Sequence, residues 1–182
     1  VDDLTRAMGN VSFYYQGRII ENIRISNTVD AYAVNGWESM KLENHSGIVD
    51  NYRFPKGDPE VMARYNAPLY LAVKMNRKVV STGDTTLVDT YIVNEKNLKG
   101  SYILNLVAKD ESGNVVASHK ERVTVKGGND YGQCLQSGWA FIPKSKGYTR
   151  IEASLLKGKT ELVKGDDLLF AVELNTKGIT TQ

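Results

Sequence analysis

Two stretches of this sequence gather residue types that could do chemistry. Trp37 and Glu38 stand side by side at the end of a run of small and apolar residues, DAYAVNGW, at 30–37. An indole beside a carboxylate suits a sugar: the ring takes the C–H face of a pyranose and the acid accepts from its hydroxyls. Core packing for Trp37 and solvent for Glu38 account for the pair equally well, and the residues alone leave both readings open. Just downstream, KLENHSGIVDNYRFPKGDPE (41–60) brings Glu43, His45, Asp50, Arg53, Lys56 and Asp58 into one loop. Dense polar loops behind a buried strand are where α/β folds place binding residues. A long polar loop closed by a helix cap is the plainer account of the same residues.

The rest of the inventory excludes more than it offers. His45 and His119 are the only 2 histidines and Cys134 the 1 cysteine, which leaves no multi-histidine metal site, no cysteine zinc cluster and no internal disulfide. His119, in VVASHKERV, reads as a solvated strand residue, and Cys134, in YGQCLQSGW, as a small residue in or beside a strand with no basic neighbour to activate it. No nucleophile elbow, glycine-rich phosphate loop or metal signature is present, and no metal or other cofactor is expected. With 23 basic against 21 acidic residues the chain lacks the basic excess of a nucleic-acid binder, and it has no apolar run of about 18 residues to span a membrane. At 41% hydrophobic and 24% charged it has the composition of a folded globular chain.

Two kinds of element must position these residues. In YYQGRIIENIRIS (14–26), Tyr15, Ile19, Ile20 and Ile23 are spaced for one helical face, with Arg18, Glu21, Asn22 and Arg24 on the other; Gly17 weakens the pattern. Residues 30–37 read as a short buried strand. Asp58, Pro59 and Glu60 open a second helix that must end before Pro68: an N-cap carboxylate, a proline at the first helical position and an acid in the first turn. From residue 69 the period becomes two. LYLAVKM, TLVDTYIV, SYILNLVAK, VVASHKERVTVK, YGQCLQSGWAFI, YTRIEASLL and LLFAVEL are seven candidate strands, separated by STGD, EKNLKG, DESGN, KGGND, PKSKG, KGKT and KGDD. Ile151, Ala153 and Leu155 alternate with Arg150, Glu152 and Ser154, and Tyr102, Leu104, Leu106 and Ala108 with Asn105 and Lys109. Short half-apolar strands of this number and spacing predict an antiparallel β-sandwich of immunoglobulin type, about 110 residues long.

At this point the sequence resembles a known family. NGWESMKLENHSGIVDNYRFPKGDPEVMARYNAPLYLAVK (35–74) looks like the junction that closes the catalytic barrel of a family 2-like glycoside hydrolase, the group of β-galactosidase, β-glucuronidase and β-mannosidase relatives. Those enzymes end a TIM barrel with a tryptophan-bearing eighth strand, a loop of the form G-[IV]-V-D-x-x-R-x-P-K, a last helix and a passage into a β-sandwich. Trp37 matches the tryptophan, Gly47 through Lys56 the loop, 59–66 the helix and LYLAVK the start of the sandwich. LVDTYIVNEKNLKGSYILNLVAKDESGNVV is similar to the immunoglobulin-like domain that follows.

The resemblance implies a mainly β chain: residues 1–67 as the C-terminal remnant of a catalytic TIM barrel, a small α/β piece, and 68–182 as an immunoglobulin-like β-sandwich. It implies a parent retaining glycosidase, which needs an acid/base and a nucleophile carboxylate about 5–5.5 Å apart. In that pattern they sit on the fourth and seventh barrel strands, which 1–67 does not contain, so the chain holds no catalytic residue and is expected to be inactive alone. Trp37 carries over as a sugar platform with Glu38 as its neighbour. Carbohydrate is the expected partner through the parent enzyme, and the resemblance alone suggests a periplasmic or secreted bacterial location. Beginning at Val1 without a basic-then-apolar leader, the chain reads as a processed or excised piece with its N-terminus upstream. A barrel strand and helix stripped of a barrel would expose several hundred Å², costing about 10 kcal/mol. Residues 1–67 are therefore expected to pack on the sandwich, pair with a second copy, or meet a barrel in another chain. The rival expectation is an independent carbohydrate-binding or adhesion sandwich, with Tyr91, Tyr102, Tyr131, Trp139 and Tyr148 as candidate platforms.

Overall fold

The structure, a computed structural model, describes residues 2–34, 36, 47–50 and 52–173. Helices α1 (Asp2–Ser26) and α2 (Pro59–Tyr65) precede strands β1 (Leu69–Met75), β2 (Val79–Ser81), β3 (Thr86–Asn94), β4 (Gly100–Lys109), β5 (Val115–Val125), β6 (Gly132–Phe141), β7 (Gly147–Lys157) and β8 (Thr160–Val172). The strands form a three-stranded sheet ordered β1-β3-β6 and a five-stranded sheet ordered β2-β8-β7-β4-β5. All pairs are antiparallel except β2 with β8, so the chain leaves β1 in one sheet and re-enters as a short parallel strand on the other.

The expected β-sandwich is present, and the alternation read from the sequence builds it. Tyr102, Leu104, Leu106 and Ala108 of β4 and Ile151, Ala153 and Leu155 of β7 meet Leu71, Val73, Val88, Ile92, Trp139 and Phe141 of the facing sheet in one core. Asp110 closes the β4–β5 hairpin, its Oδ1 accepting from the Ser112 and Asn114 amides. A second, smaller core lies on the opposite side of β1 and β3. There Tyr70, Ala72 and Val93, which alternate with the sandwich-core residues, pack against Phe13 and Ile20 of α1 and Met62 and Tyr65 of α2. The two helices thus cover the outer face of the small sheet.

Three expectations are corrected. The described residues of the segment 30–37 that was read as a buried strand do not bear it out: 30–34 carry no strand and are exposed. The KGDD stretch (164–167), read as a turn, lies inside the thirteen-residue strand β8. Gly165 is needed there because a Cβ would fall 1.9 Å from the Leu71 carbonyl oxygen of β1, and the two aspartates are held by cations from neighbouring elements. The expected division of the first helix into an apolar and a polar face holds only in part. Ile20 is buried and Asn22 exposed as expected, but Tyr15 and Ile19 are exposed, whereas Arg18, Glu21 and Arg24 are buried. The helix itself starts twelve residues before the expected Tyr14, at Asp2.

Candidate functional site

The densest chemistry among the described residues is the seam where α1 meets the sandwich. Two glycines set the approach of the helix. A Cβ on Gly9 would fall 1.8 Å from the Lys56 carbonyl oxygen, and one on Gly17 2.0 Å from Cδ2 of Tyr65. Such spacing brings α1 down onto the 47–58 loop and α2. The loop is a tight bridge, Val49 pairing with Pro55, in which Asp50 Oδ1 accepts from the backbone amides of Tyr52 and Phe54, each at 2.9 Å. Asp58 caps α2 as its sequence implies, accepting from the Glu60 amide at 3.0 Å.

With the backbone so close, the side chains at 18, 21 and 24 point into the seam and must be satisfied there. Arg18 is the hub. Its Nη1 lies 3.0 Å from Glu21 Oε1, and its Nη2 lies 3.0 Å from Asp167 Oδ2 and donates to the Val73 carbonyl at 3.0 Å. Glu21 accepts from the Tyr70 hydroxyl at 2.7 Å and faces Lys74 Nζ at 3.4 Å. Asp167 accepts from Tyr14 at 2.8 Å and from Lys78. On the other side of β8, Asp166 pairs with both Arg64 of α2 and Arg150 of β7. At the C-terminal end of α1, Arg24 donates to the Tyr65 carbonyl at 2.5 Å and to the Ala67 carbonyl and Glu95 at 2.8 and 2.7 Å.

Electrostatics follow the burial. Desolvation pushes Glu21 above the ordinary carboxylate range, against the pull of Arg18, Tyr70 and Lys74. Burial works against the Arg18 charge, but Glu21 and Asp167 outweigh it and hold the guanidinium above its ordinary value. Tyr70 is raised by burial and by the Glu21 carboxylate, Tyr14 by burial and by its bond to Asp167. Burial lowers Lys74 and Lys78. Glu21 and Asp167 are a carboxylate pair of the kind acid/base work uses, but the side chains of both are fully sealed from solvent and bridged by Arg18. Neither can reach a substrate. Their chemistry is consumed in fixing one seating of α1. Removing one member of such a buried set leaves an uncompensated charge, whereas the intact set adds little net stability.

Trp37 and Glu38, the expected sugar contacts, lie outside the described residues, as do Glu43 and His45. Among the expected platform aromatics, Tyr102 and Trp139 are buried in the sandwich core, and Tyr91 is half-buried against the second core. Tyr131 and Tyr148 are exposed, Tyr148 tilted against Phe170 at 4.8 Å between ring centroids. His119 is a partly exposed strand residue that stacks on Trp139, and Cys134 is an exposed residue of β6. No group of three or more His, Cys, Asp or Glu side chains able to hold a metal occurs among the described residues, and no described helix is long and apolar enough to cross a membrane. Sequence reasoning missed the buried charge set. Its available signals were charged residues at i, i+3 and i+6 (18, 21, 24) on a helix with two glycines, and an acid pair inside an otherwise alternating strand.

Comparison with known proteins adds fold likenesses only. No protein-family model matches the chain, and no protein of curated function matches it. Among solved structures, a glycosyl hydrolase family 2 member from Bacteroides cellulosilyticus is similar over 57% of this chain and 15% of that one, at 16% identity and a TM-score of 0.44. A Bacteroides uniformis β-glucuronidase is similar over 55% of this chain and 13% of that one, at 15% identity and a TM-score of 0.43. A CARDB domain from Pyrococcus furiosus is similar over 57% of this chain and 87% of that one, at 15% identity and a TM-score of 0.38. The chain therefore spans only 15% and 13% of the two hydrolases it matches.

Proposed function

We propose that this chain is a non-catalytic C-terminal portion of a glycoside hydrolase, a sandwich with two helices that braces a catalytic barrel. The observation that carries the reading is the two-sidedness of α1. One side is keyed to the sandwich by the Arg18–Glu21–Asp167 set. The other presents Leu4, Met8, Val11, Tyr15 and Ile19, a stripe at i, i+4, i+7, i+11 and i+15 whose members are 56–68% exposed. Burying one such side chain is worth about 1.5–3 kcal/mol, so at that exposure the stripe holds about 5–9 kcal/mol for a body that covers it. A continuous exposed stripe of this kind marks a contact surface. The resemblance of residues 35–74 to a barrel-closing junction supplies the identity of that body, and Trp37, with Glu38 beside it, is the sugar contact the chain would lend to it. A periplasmic or extracellular location belongs to the same proposal. A free-standing carbohydrate-binding sandwich is less well served, since Tyr102 and Trp139 are committed to the core.

The test is expression of the chain both alone and in its native reading frame with whatever precedes Val1. The proposal expects hydrolysis of aryl β-glycosides by the longer protein only. It also expects Met8→Lys with Tyr15→Lys to lower the longer protein's melting midpoint while changing the chain alone by no more than about 0.5 kcal/mol. A reading frame that starts at this segment, an upstream region without a barrel and its two glutamates, or turnover by the chain alone overturns it.

A further inference from the structure

Beyond the end of α1 the chain builds a cleft that the bracing role does not use. It is about 580 Å³ in volume and is walled by the last turn of α1, the 29–32 segment, the β3–β4 turn and the β5–β6 connection. Arg24, Asp30, Tyr32, Glu95, Asn129 and Tyr131 line it. Several of its walls are held in place by hydrogen bonds and an ion pair. Asn27, in the left-handed region at φ 55°, ends the helix and exchanges two hydrogen bonds with Gly132, at 2.6 and 2.7 Å. Tyr32 donates its hydroxyl to Asn66 at 2.7 Å, the Tyr131 carbonyl accepts from the Asn94 amide at 2.8 Å, and Arg24 is clamped as described. By contrast, the Asp30 and Asn129 side chains make no hydrogen bond among the described residues, and both tyrosines are exposed.

We propose that this cleft binds a neutral carbohydrate of one or two rings. Tyr32 and Tyr131 bring two exposed phenol rings suited to C–H surfaces, and the Asp30 carboxylate and Asn129 carboxamide, without a hydrogen bond among the described residues, bring the mixed acceptors and donors that vicinal hydroxyls need. A volume of this size lies in the ordinary range of small-molecule sites, about 300–1,000 Å³. Charge argues against an anion: Arg24 is already paired with Glu95, which leaves Asp30 to repel a phosphate. The same pairing argues against a cation cage, because the guanidinium and the amides line the cleft along with the acids.

The experiment is an amide shift titration of the whole ¹⁵N-labelled chain. Cellobiose, lactose, maltose and xylobiose serve as neutral probes, tetramethylammonium as the cationic probe and inorganic phosphate as the anionic one. At least one neutral disaccharide is expected to shift amides at 24–32, 95 and 129–131 with a Kd of about 10 mM or tighter. Tyr131→Ala and Asp30→Asn should each weaken that binding about ten-fold or more while the remaining spectrum stays native. Tyr32→Phe, which keeps the ring, should hold the affinity within about two-fold. The proposal is overturned if no neutral disaccharide shifts these amides, if the Tyr131 and Asp30 variants bind as the parent does, or if only tetramethylammonium or phosphate engages the cleft. The result is independent of the bracing role, because it concerns a cleft wholly within the chain and away from the α1 stripe.

Discussion

Gly17→Ala is a substitution in which two well-understood effects oppose each other, and the structure decides the sign. In a helix interior alanine is favoured over glycine by about 1 kcal/mol. Here, however, the new Cβ would fall 2.0 and 2.2 Å from Cδ2 and Cε2 of Tyr65. Ordinary carbon contacts begin near about 3.5 Å, so the ring or the helix must give by about 1.5 Å. Tyr65 has no room to do so: it is 0% exposed and lies 5.6 Å from the Tyr70 ring. Overpacking of this kind costs about 1–3 kcal/mol, and a rigid ring in a closed site belongs at the upper end. The net expectation is a loss of about 1–2 kcal/mol, or about 2–8 °C in melting midpoint for a chain of this size. A double-mutant cycle makes the reasoning sharper. Tyr65→Ala alone should cost about 3–5 kcal/mol, but in its background the clash is gone and Gly17→Ala should become stabilising by about 1 kcal/mol. Urea unfolding followed by far-ultraviolet circular dichroism reads all four corners. A rise in midpoint for Gly17→Ala in the parent chain, or a coupling below about 0.5 kcal/mol, refutes the argument.

Three further outcomes follow from the seam. Asp167→Ala strips Arg18 of one partner and Lys78 of its carboxylate, and should cost about 3 kcal/mol by urea midpoint, whereas Glu152→Gln, in the half-exposed pair with Lys109, should cost under about 1 kcal/mol. Asp58→Ala should cost about 1 kcal/mol by removing the α2 cap, and Asp58→Asn much less. The alkaline limb tests the buried phenols. Tyr14, Tyr65 and Tyr70 are all raised by burial, so the unfolded chain ionises first, and stability present below about pH 10 is lost as the pH climbs past it. Lys74 and Lys78, lowered by burial, act in the opposite sense. Tyr70→Phe should therefore be less stable than the parent at pH 7 yet lose stability less steeply from about pH 9.5 to 11, as measured by urea midpoints at each pH.

The sandwich was legible because its strands are half-buried and alternate cleanly, as in β4 and β7. Where that rule is suspended, legibility ends. Strand β2 has only three residues and is defined by its pairing to Phe170, Ala171 and Val172, a partner some ninety residues away that no local pattern announces. The KGDD stretch imitates a turn because lysine, glycine and two aspartates do make turns. It is a strand because Gly165 admits the Leu71 carbonyl and because Asp166 and Asp167 find Arg64, Arg150, Arg18 and Lys78. The start of α2 was readable from Asp58-Pro59-Glu60, since a cap is a local device. The burial of Arg18, Glu21 and Arg24 is not local, and hydropathy, which finds the buried Ile20, cannot show that ion pairs rather than Tyr15 and Ile19 complete the inner face of α1. Trp37 and Glu38 were the best sugar candidates in the sequence. The cleft lined by Tyr32 and Tyr131 could not have been found there, because it joins residues about one hundred positions apart.

The burial of charged residues on the inner side of α1 has a physical logic. An apolar face laid on an apolar sheet is non-directional, and it tolerates rotation and sliding by a turn at modest cost. A guanidinium bridging Glu21 and Asp167 while donating to the Val73 carbonyl does not, because a small displacement leaves charge buried and unpaired. Seating the helix through Arg18 therefore fixes its rotation about its own axis, which in turn fixes the direction in which Leu4, Met8, Val11, Tyr15 and Ile19 point. On the bracing proposal, directional bonds on the inner side make the outer stripe a surface of defined orientation, while the non-directional burial energy remains available to the body that docks there. Arg18→Met, which offers comparable length without charge, takes the shared cation from Glu21 and Asp167 and should cost about 3 kcal/mol as well as alter the rotation of α1. Pulsed electron–electron distance measurements between spin labels at exposed positions 11 and 120 would read that rotation as a shifted or broadened distance distribution, and an unchanged, equally narrow distribution would show that packing alone sets the helix.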